Sequence, residues 1–128
     1  MNLIAKQSDI KDKIIGFSTL FGIDPVWAIS IAMTESSLGY AQVSHTGCKG
    51  VFQMSSIAMK DLLNSMEADN EDLIDIACGV AFLYLLLKRW KTIEEATNHF
   101  CDPADRTFYL DRVLTYMKVF KDDRPTNP

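Results

Sequence analysis

Apolar residues recur along this chain at the three- and four-residue spacing of helices, and the polar residues between them gather into caps and short loops. Ile10, Ile14, Phe17, Leu20 and Phe21 follow that spacing behind Ser8, which can cap the segment, and Gly22 closes it. Asp24 followed by Pro25 is a strong start signal, a capping side chain and then proline at the first helical position. The helix that it opens is predicted to run to about Ser37 and to stop at Gly39. Residues 39–50 hold three glycines with Ser44, His45 and Thr46, and read as a loop with room for one short hairpin.

Beyond that loop, Ser55 or Ser56 can cap a helix that points Ile57, Leu62 and Leu63 inward. Asn70 is placed to cap the most apolar stretch of the chain, which runs through Leu73 to Leu87 and ends near Trp90. That stretch is too short to span a bilayer and carries Asp75, so it reads as a buried helix. Thr92 can cap a short helix, with Glu95 at the capping-box position. Asp102-Pro103 repeats the Asp-Pro start signal and opens a last helix to about Lys121. No strand alternation, repeat or low-complexity tract interrupts this pattern. It predicts an all-α domain over residues 1–121, about six helices around a central buried one, and a flexible tail over 122–128.

Composition narrows the class of partner. The chain has 128 residues, 48% hydrophobic and 23% charged, which is one domain with enough apolar residues for a core. The formal net charge is −4, and no basic stripe of the kind that binds nucleic acid is present. Three cysteines, Cys48, Cys78 and Cys101, lack Cys-x-x-Cys spacing and are expected to be reduced thiols, two of them buried. No His/Cys cluster has the spacing of metal ligands, so no metal or cofactor is expected. The opening "MNLIAKQSDIKDK" has no apolar segment followed by a small-residue cleavage site.

One carboxylate is out of keeping with its surroundings. Glu35 ends "PVWAISIAMTE", whose other residues include no charge. On a helical wheel it extends the stripe of Ala28, Ile31 and Ala32, opposite Ser30, Thr34 and Ser37. Burial there would disfavour the charged form and raise the pKa, and so would the negative end of the helix dipole. A carboxyl group held in this way suits general acid work near neutral pH. A glutamate at a helix end is otherwise solvated or paired with a basic side chain.

Four stretches, "FGIDPVWAISIAMTESSLG", "GCKGVFQM", "DIACGVAFLYLLL" and "FYLDRVLTYM", together resemble successive motifs of the lytic transglycosylase family, whose fold is lysozyme-like. The family pattern runs from Gly-Ile-Asp-Pro to Glu-Ser-Ser, through Gly-Leu-Met-Gln and Asn-Ile-x-x-Gly with Tyr-Leu, to Ala-Tyr-Asn and a final Tyr-Val with Arg-Val. Order and approximate spacing hold from about residue 21 to residue 117. The resemblance implies that Glu35 is the catalytic acid and that Ser37 helps to position the acid or the substrate. It implies that Gly50 and Gln53 line a glycan-binding cleft, that Asn98 stands at the Tyr-Asn position, and that Tyr109 faces the glutamate. The chain departs from the pattern at "ATNHF", where Thr97 replaces a tyrosine, no Gly-Pro loop follows and His99 stands nearby, and at Phe52, which replaces a methionine.

Glycosidic cleavage usually employs two carboxylates. From Ser36 to Lys60 there is no Asp or Glu, so the sequence offers no local nucleophile beside Glu35. A transglycosylase needs only the one acid, and the resemblance implies cleavage between N-acetylmuramic acid and N-acetylglucosamine with formation of a 1,6-anhydro ring. An inverting, goose-type muramidase with a distal aspartate such as Asp61 or Asp102 is the alternative enzyme, and a non-catalytic glycan-binding or assembly module is the alternative outside enzymology. The expected partner is the glycan strand of peptidoglycan, with no nucleic acid and no membrane insertion, and the chain is expected to be monomeric. The expected setting is the cell wall, reached by phage delivery or within a secretion apparatus.

Overall fold

The computed structural model describes residues 2–39, 51–52, 71–100 and 106–122, and nearly all of them are helical. In chain order the helices are α1 (Ala5–Phe21), α2 (Pro25–Ser36), α3 (Glu71–Trp90), α4 (Ile93–Phe100) and α5 (Arg106–Asp122). No strand occurs among the described residues, so the all-α reading holds. The helix expected after Ser55 or Ser56, the short hairpin, the Asn70 cap and the Asp102-Pro103 start lie outside the described residues.

Local signals set most of the ends. Asp24 Oδ1 accepts the Val26 N–H at 2.9 Å and Pro25 follows at the first helical position, so α2 begins where the Asp-Pro pair predicts. Thr92 Oγ1 accepts the Glu95 N–H at 3.2 Å and starts α4. Gly22 closes α1 at φ 73°, a left-handed conformation that favours glycine. Ser8 is not the cap of α1. The helix starts earlier, at Ala5, because Gln7 Oε1 takes the Ile4 N–H at 3.1 Å and satisfies a free donor of the first turn.

The helices pack α2 against α5 and α1, α1 against α3, and α4 against α3 and α5. This arrangement buries α2 more completely than the wheel predicts. Every residue from Val26 to Ala32 is buried, Ser30 included. The Ser30 hydroxyl donates to the Val26 carbonyl at 2.7 Å and Thr34 does the same to Ser30 at 2.8 Å. Short hydroxyl side chains satisfy themselves within their own helix, so a polar residue on α2 does not mark a solvent face.

The opposite correction applies to α3. Ile76, Val80 and Leu83 form its buried stripe, whereas Leu73, Phe82 and Leu85 are exposed. The most apolar stretch of the chain is therefore one-sided, packed along its length against α1 and α4. No described helix is long and apolar enough to cross a membrane.

Candidate active site

Glu35 stands one residue before the end of α2, and Tyr109 lies in the first turn of α5. The packing of these two helices brings them together across 74 residues of sequence: the Tyr109 hydroxyl donates to Glu35 Oε1 at 2.7 Å. Both side chains are half-buried. Burial raises the Glu35 pKa above the ordinary carboxylate value, and the Tyr109 hydrogen bond opposes that shift in part. The carboxyl group is thus biased toward its protonated form while one of its oxygens is held in place. That is the condition a general acid requires.

The chain leaves α2 through a left-handed turn, with φ of 51° at Ser37, 54° at Leu38 and 83° at Gly39. The Ser37 N–H donates to the Met33 carbonyl and the Leu38 N–H to the Ala32 carbonyl, which satisfies the last turn of the helix. Ser37 contributes its backbone, its carbonyl accepting from Gln7 Nε2 at 2.8 Å. The neighbouring Ser36 carries the side-chain chemistry. Its buried hydroxyl donates to the Val51 carbonyl at 2.6 Å, sits 3.2 Å from the Ala32 carbonyl, and accepts the Gly39 N–H at 2.9 Å.

Val51 and Phe52, both fully buried, lie against α3. The Asp75 carboxylate accepts the Val51 N–H. One helical turn further along α3, Gly79 receives the ring of Phe52; a methyl group on Gly79 would lie 2.7 Å from the Phe52 Cβ and closer still to its ring. The "DIACG" motif therefore presents an acceptor and a gap on one face, four residues apart, to the "VF" of the preceding motif. Asp75 and Gly79, which hold Val51 and Phe52 against α3, are contacts that sequence reasoning missed. The signal was a lone carboxylate in the most apolar stretch, the same anomaly that singles out Glu35.

At the "ATNHF" departure, Thr97 points into the core. It is fully buried, and its hydroxyl accepts from Trp27 Nε1, on the fully buried indole, at 2.9 Å. Asn98 is half-buried and its carbonyl accepts from Arg106 Nε at 2.8 Å, which ties α4 to the start of α5. His99 is stacked on Trp90 with ring centres 3.5 Å apart, and its Nδ1 lies 2.8 Å from the Glu95 carbonyl. That carbonyl can only accept, so Nδ1 carries the proton and the ring serves the outer face of α4. Gly50, Gln53, Asp61 and Asp102 lie outside the described residues.

No known protein family, curated protein or solved structure matches the chain.

Among the described residues, no group of three or more His, Cys, Asp or Glu side chains could hold a metal ion. Cys78 is a half-buried free thiol whose pKa is pushed up by burial and then by the charge of Asp75, which leaves it a poor nucleophile. Cys48 and Cys101 lie outside the described residues.

Proposed function

We propose that the chain is a lytic transglycosylase of peptidoglycan, acting on the β-1,4 bond between N-acetylmuramic acid and N-acetylglucosamine. The observation that carries this reading is the Tyr109–Glu35 hydrogen bond on a carboxyl group whose pKa burial raises. The motif resemblance assigns these same two residues to the reaction centre, and helix packing joins them independently of that resemblance. In this reading a sixth helix and the loop after α2 complete a lysozyme-like cleft, with Gly50, Gln53 and Asn98 contributing to its walls.

Protonated Glu35 gives its proton to the glycosidic oxygen as the C1–O bond of the muramyl residue breaks. The substrate's own N-acetyl group stabilises the positive charge that develops at C1. Glu35, now a carboxylate, takes the proton of the muramyl 6-hydroxyl as that oxygen bonds to C1 and closes the 1,6-anhydro ring. The carboxyl group ends as it began, protonated, and no water is consumed. Tyr109 holds Oε1, leaving Oε2 to exchange the proton with substrate.

Mass spectrometry of a digest of purified peptidoglycan tests the reaction. Anhydro-muramyl ends are expected. Products with only reducing ends would replace transglycosylation by hydrolysis, and intact strands that remain bound to the protein would leave a non-catalytic glycan-binding module.

Tyr109→Phe removes the hydrogen bond that opposes the effect of burial, so the Glu35 pKa rises further in the variant. An acid-dependent rate is lost as pH increases through that pKa. The alkaline limb of the kcat/KM profile is therefore expected to move to higher pH. At its optimum the variant should be slower by about tenfold or more, the scale of losing one hydrogen bond to a charged group. An unmoved limb would separate Tyr109 from the titrating acid.

A further inference from the structure

We infer that Asp75 is a positioning residue, which fixes the Val51–Phe52 turn relative to the catalytic end of α2. The geometry stands by itself, whereas its consequence for catalysis rests on the function proposed above.

Val51 is fully buried, so both of its backbone polar groups need partners inside the protein. The two partners come from different helices. Its N–H goes to the Asp75 carboxylate on α3, and its carbonyl takes the hydroxyl of Ser36, which adjoins Glu35 on α2. The next residue, Phe52, is seated against Gly79, one turn along α3 from Asp75. One residue is thus held from both sides and its successor is keyed into a gap. The path of the chain is fixed against Ser36, the residue next to Glu35.

The bond to Asp75 has the character that such a clamp needs. A carboxylate offers only acceptor sites, and a backbone N–H bonded to a charged group in a buried setting is stronger than a neutral pair. Asp75 is 2% exposed, so water cannot take its place at the Val51 N–H. The two residues that the motif resemblance assigns to the cleft, Gly50 and Gln53, flank this turn in the sequence. If Gly50 and Gln53 contact the glycan as the resemblance implies, a shift of the turn is expected to reach them through the chain. A misplacement of about 1 Å at such a point costs on the order of a hundredfold in rate.

The test uses the full chain and two readouts. In the first, amide hydrogen exchange of Val51 is followed by NMR without any substrate. Asp75→Leu is expected to accelerate exchange at Val51 by at least about tenfold, and Asp75→Asn, which keeps an acceptor oxygen, to restore most of the protection. In the second, kcat and KM on purified glycan strands are measured at a temperature where each variant is fully folded. Asp75→Leu should lower kcat by about tenfold to a hundredfold with little change in KM, and Asp75→Asn should recover most of it. Ser36→Ala removes the hold on the other side of Val51 and should move both readouts in the same direction, which keeps the test decisive if Asp75→Leu fails to fold.

Unchanged Val51 protection in Asp75→Leu and Ser36→Ala would overturn the clamp. An unchanged kcat beside accelerated Val51 exchange would overturn the positioning role in catalysis, since a purely structural residue affects melting and not turnover of the folded molecule. Equal loss in Asp75→Asn and Asp75→Leu would assign the role to charge instead of the hydrogen bond. If the wild-type digest contains no anhydro ends, the catalytic reading falls, while the Val51 exchange result still decides the clamp.

Discussion

Glu35→Gln is expected to slow glycan cleavage by about a thousandfold or more while the protein stays folded and still binds glycan strands. A positioned acid or base contributes roughly a hundredfold to ten-thousandfold, and in this mechanism one carboxyl group serves in both capacities. Glutamine matches glutamate in shape and keeps an oxygen that can accept the Tyr109 hydroxyl, so the 2.7 Å contact has no reason to break. Equal clearance of peptidoglycan by the variant and the wild type would remove Glu35 from the mechanism.

The same variant carries a second signature, in stability. Burial raises the pKa of Glu35 in the folded protein above its unfolded value. The contribution of this group to folding is therefore complete below the unfolded pKa and is lost as pH rises through the folded one. Glutamine does not titrate and loses nothing. Glu35→Gln should melt higher than the wild type at about pH 7, and the gap should close as pH falls below the unfolded glutamate pKa of about 4, where the carboxyl group is protonated in both states. A gap independent of pH would mean that the wild-type carboxylate carries no burial penalty. Loss of activity together with a gain in stability is the pattern of a residue kept for its chemistry.

The parts of the fold legible in the sequence are those set by neighbours. The Asp24 and Thr92 caps reach only two or three residues along the chain, so residue type and spacing suffice to place α2 and α4. Ser8 misled because Gln7, one residue earlier, competes for the same start from inside the helix. The helical wheel misled on α2 because hydroxyl groups return to their own backbone, and a serine can then be as buried as an isoleucine.

The candidate site divides along the same line. Periodicity placed Glu35 on an apolar stripe but could not say what it meets, since Tyr109 is 74 residues away. Only the motif resemblance brought the two into one picture. The Glu-Ser-Ser motif pointed to Ser37, yet Ser36 makes the side-chain bonds, because α2 ends at Ser36 and the left-handed turn begins at Ser37. From the sequence, Thr97 is legible only as a missing tyrosine. A buried indole N–H needs an acceptor, and the threonine hydroxyl supplies it to Trp27, a pairing with no local trace in either residue's surroundings.

Gly79→Ala is expected to destabilise the protein by about 1–3 kcal/mol, the range for an added group forced into a packed core. Inside a helix the same change ordinarily stabilises by ~0.5–1 kcal/mol, since alanine loses less backbone entropy than glycine. The sign thus reports whether Phe52 is seated against α3. A Cβ at Gly79 falls well inside van der Waals contact with the Phe52 ring and side-chain Cβ, and Phe52 is fully buried with little freedom to retreat. Gly16, in α1, provides the control: a Cβ there meets nothing within 4 Å, so Gly16→Ala should show the ordinary stabilisation. Urea unfolding of both variants checks the pair. Phe52→Ala alone should cost about 3–5 kcal/mol through the cavity it leaves, and adding Gly79→Ala to it should cost less than in the wild-type background, because the ring is gone and only the close approach to the residue-52 Cβ remains. That relief locates most of the clash in the contact between Gly79 and the Phe52 ring. If Gly79→Ala instead stabilises the wild-type background as Gly16→Ala does, the ring is not packed on the helix, and the Val51–Phe52 turn loses one of the holds that fix it relative to the end of α2.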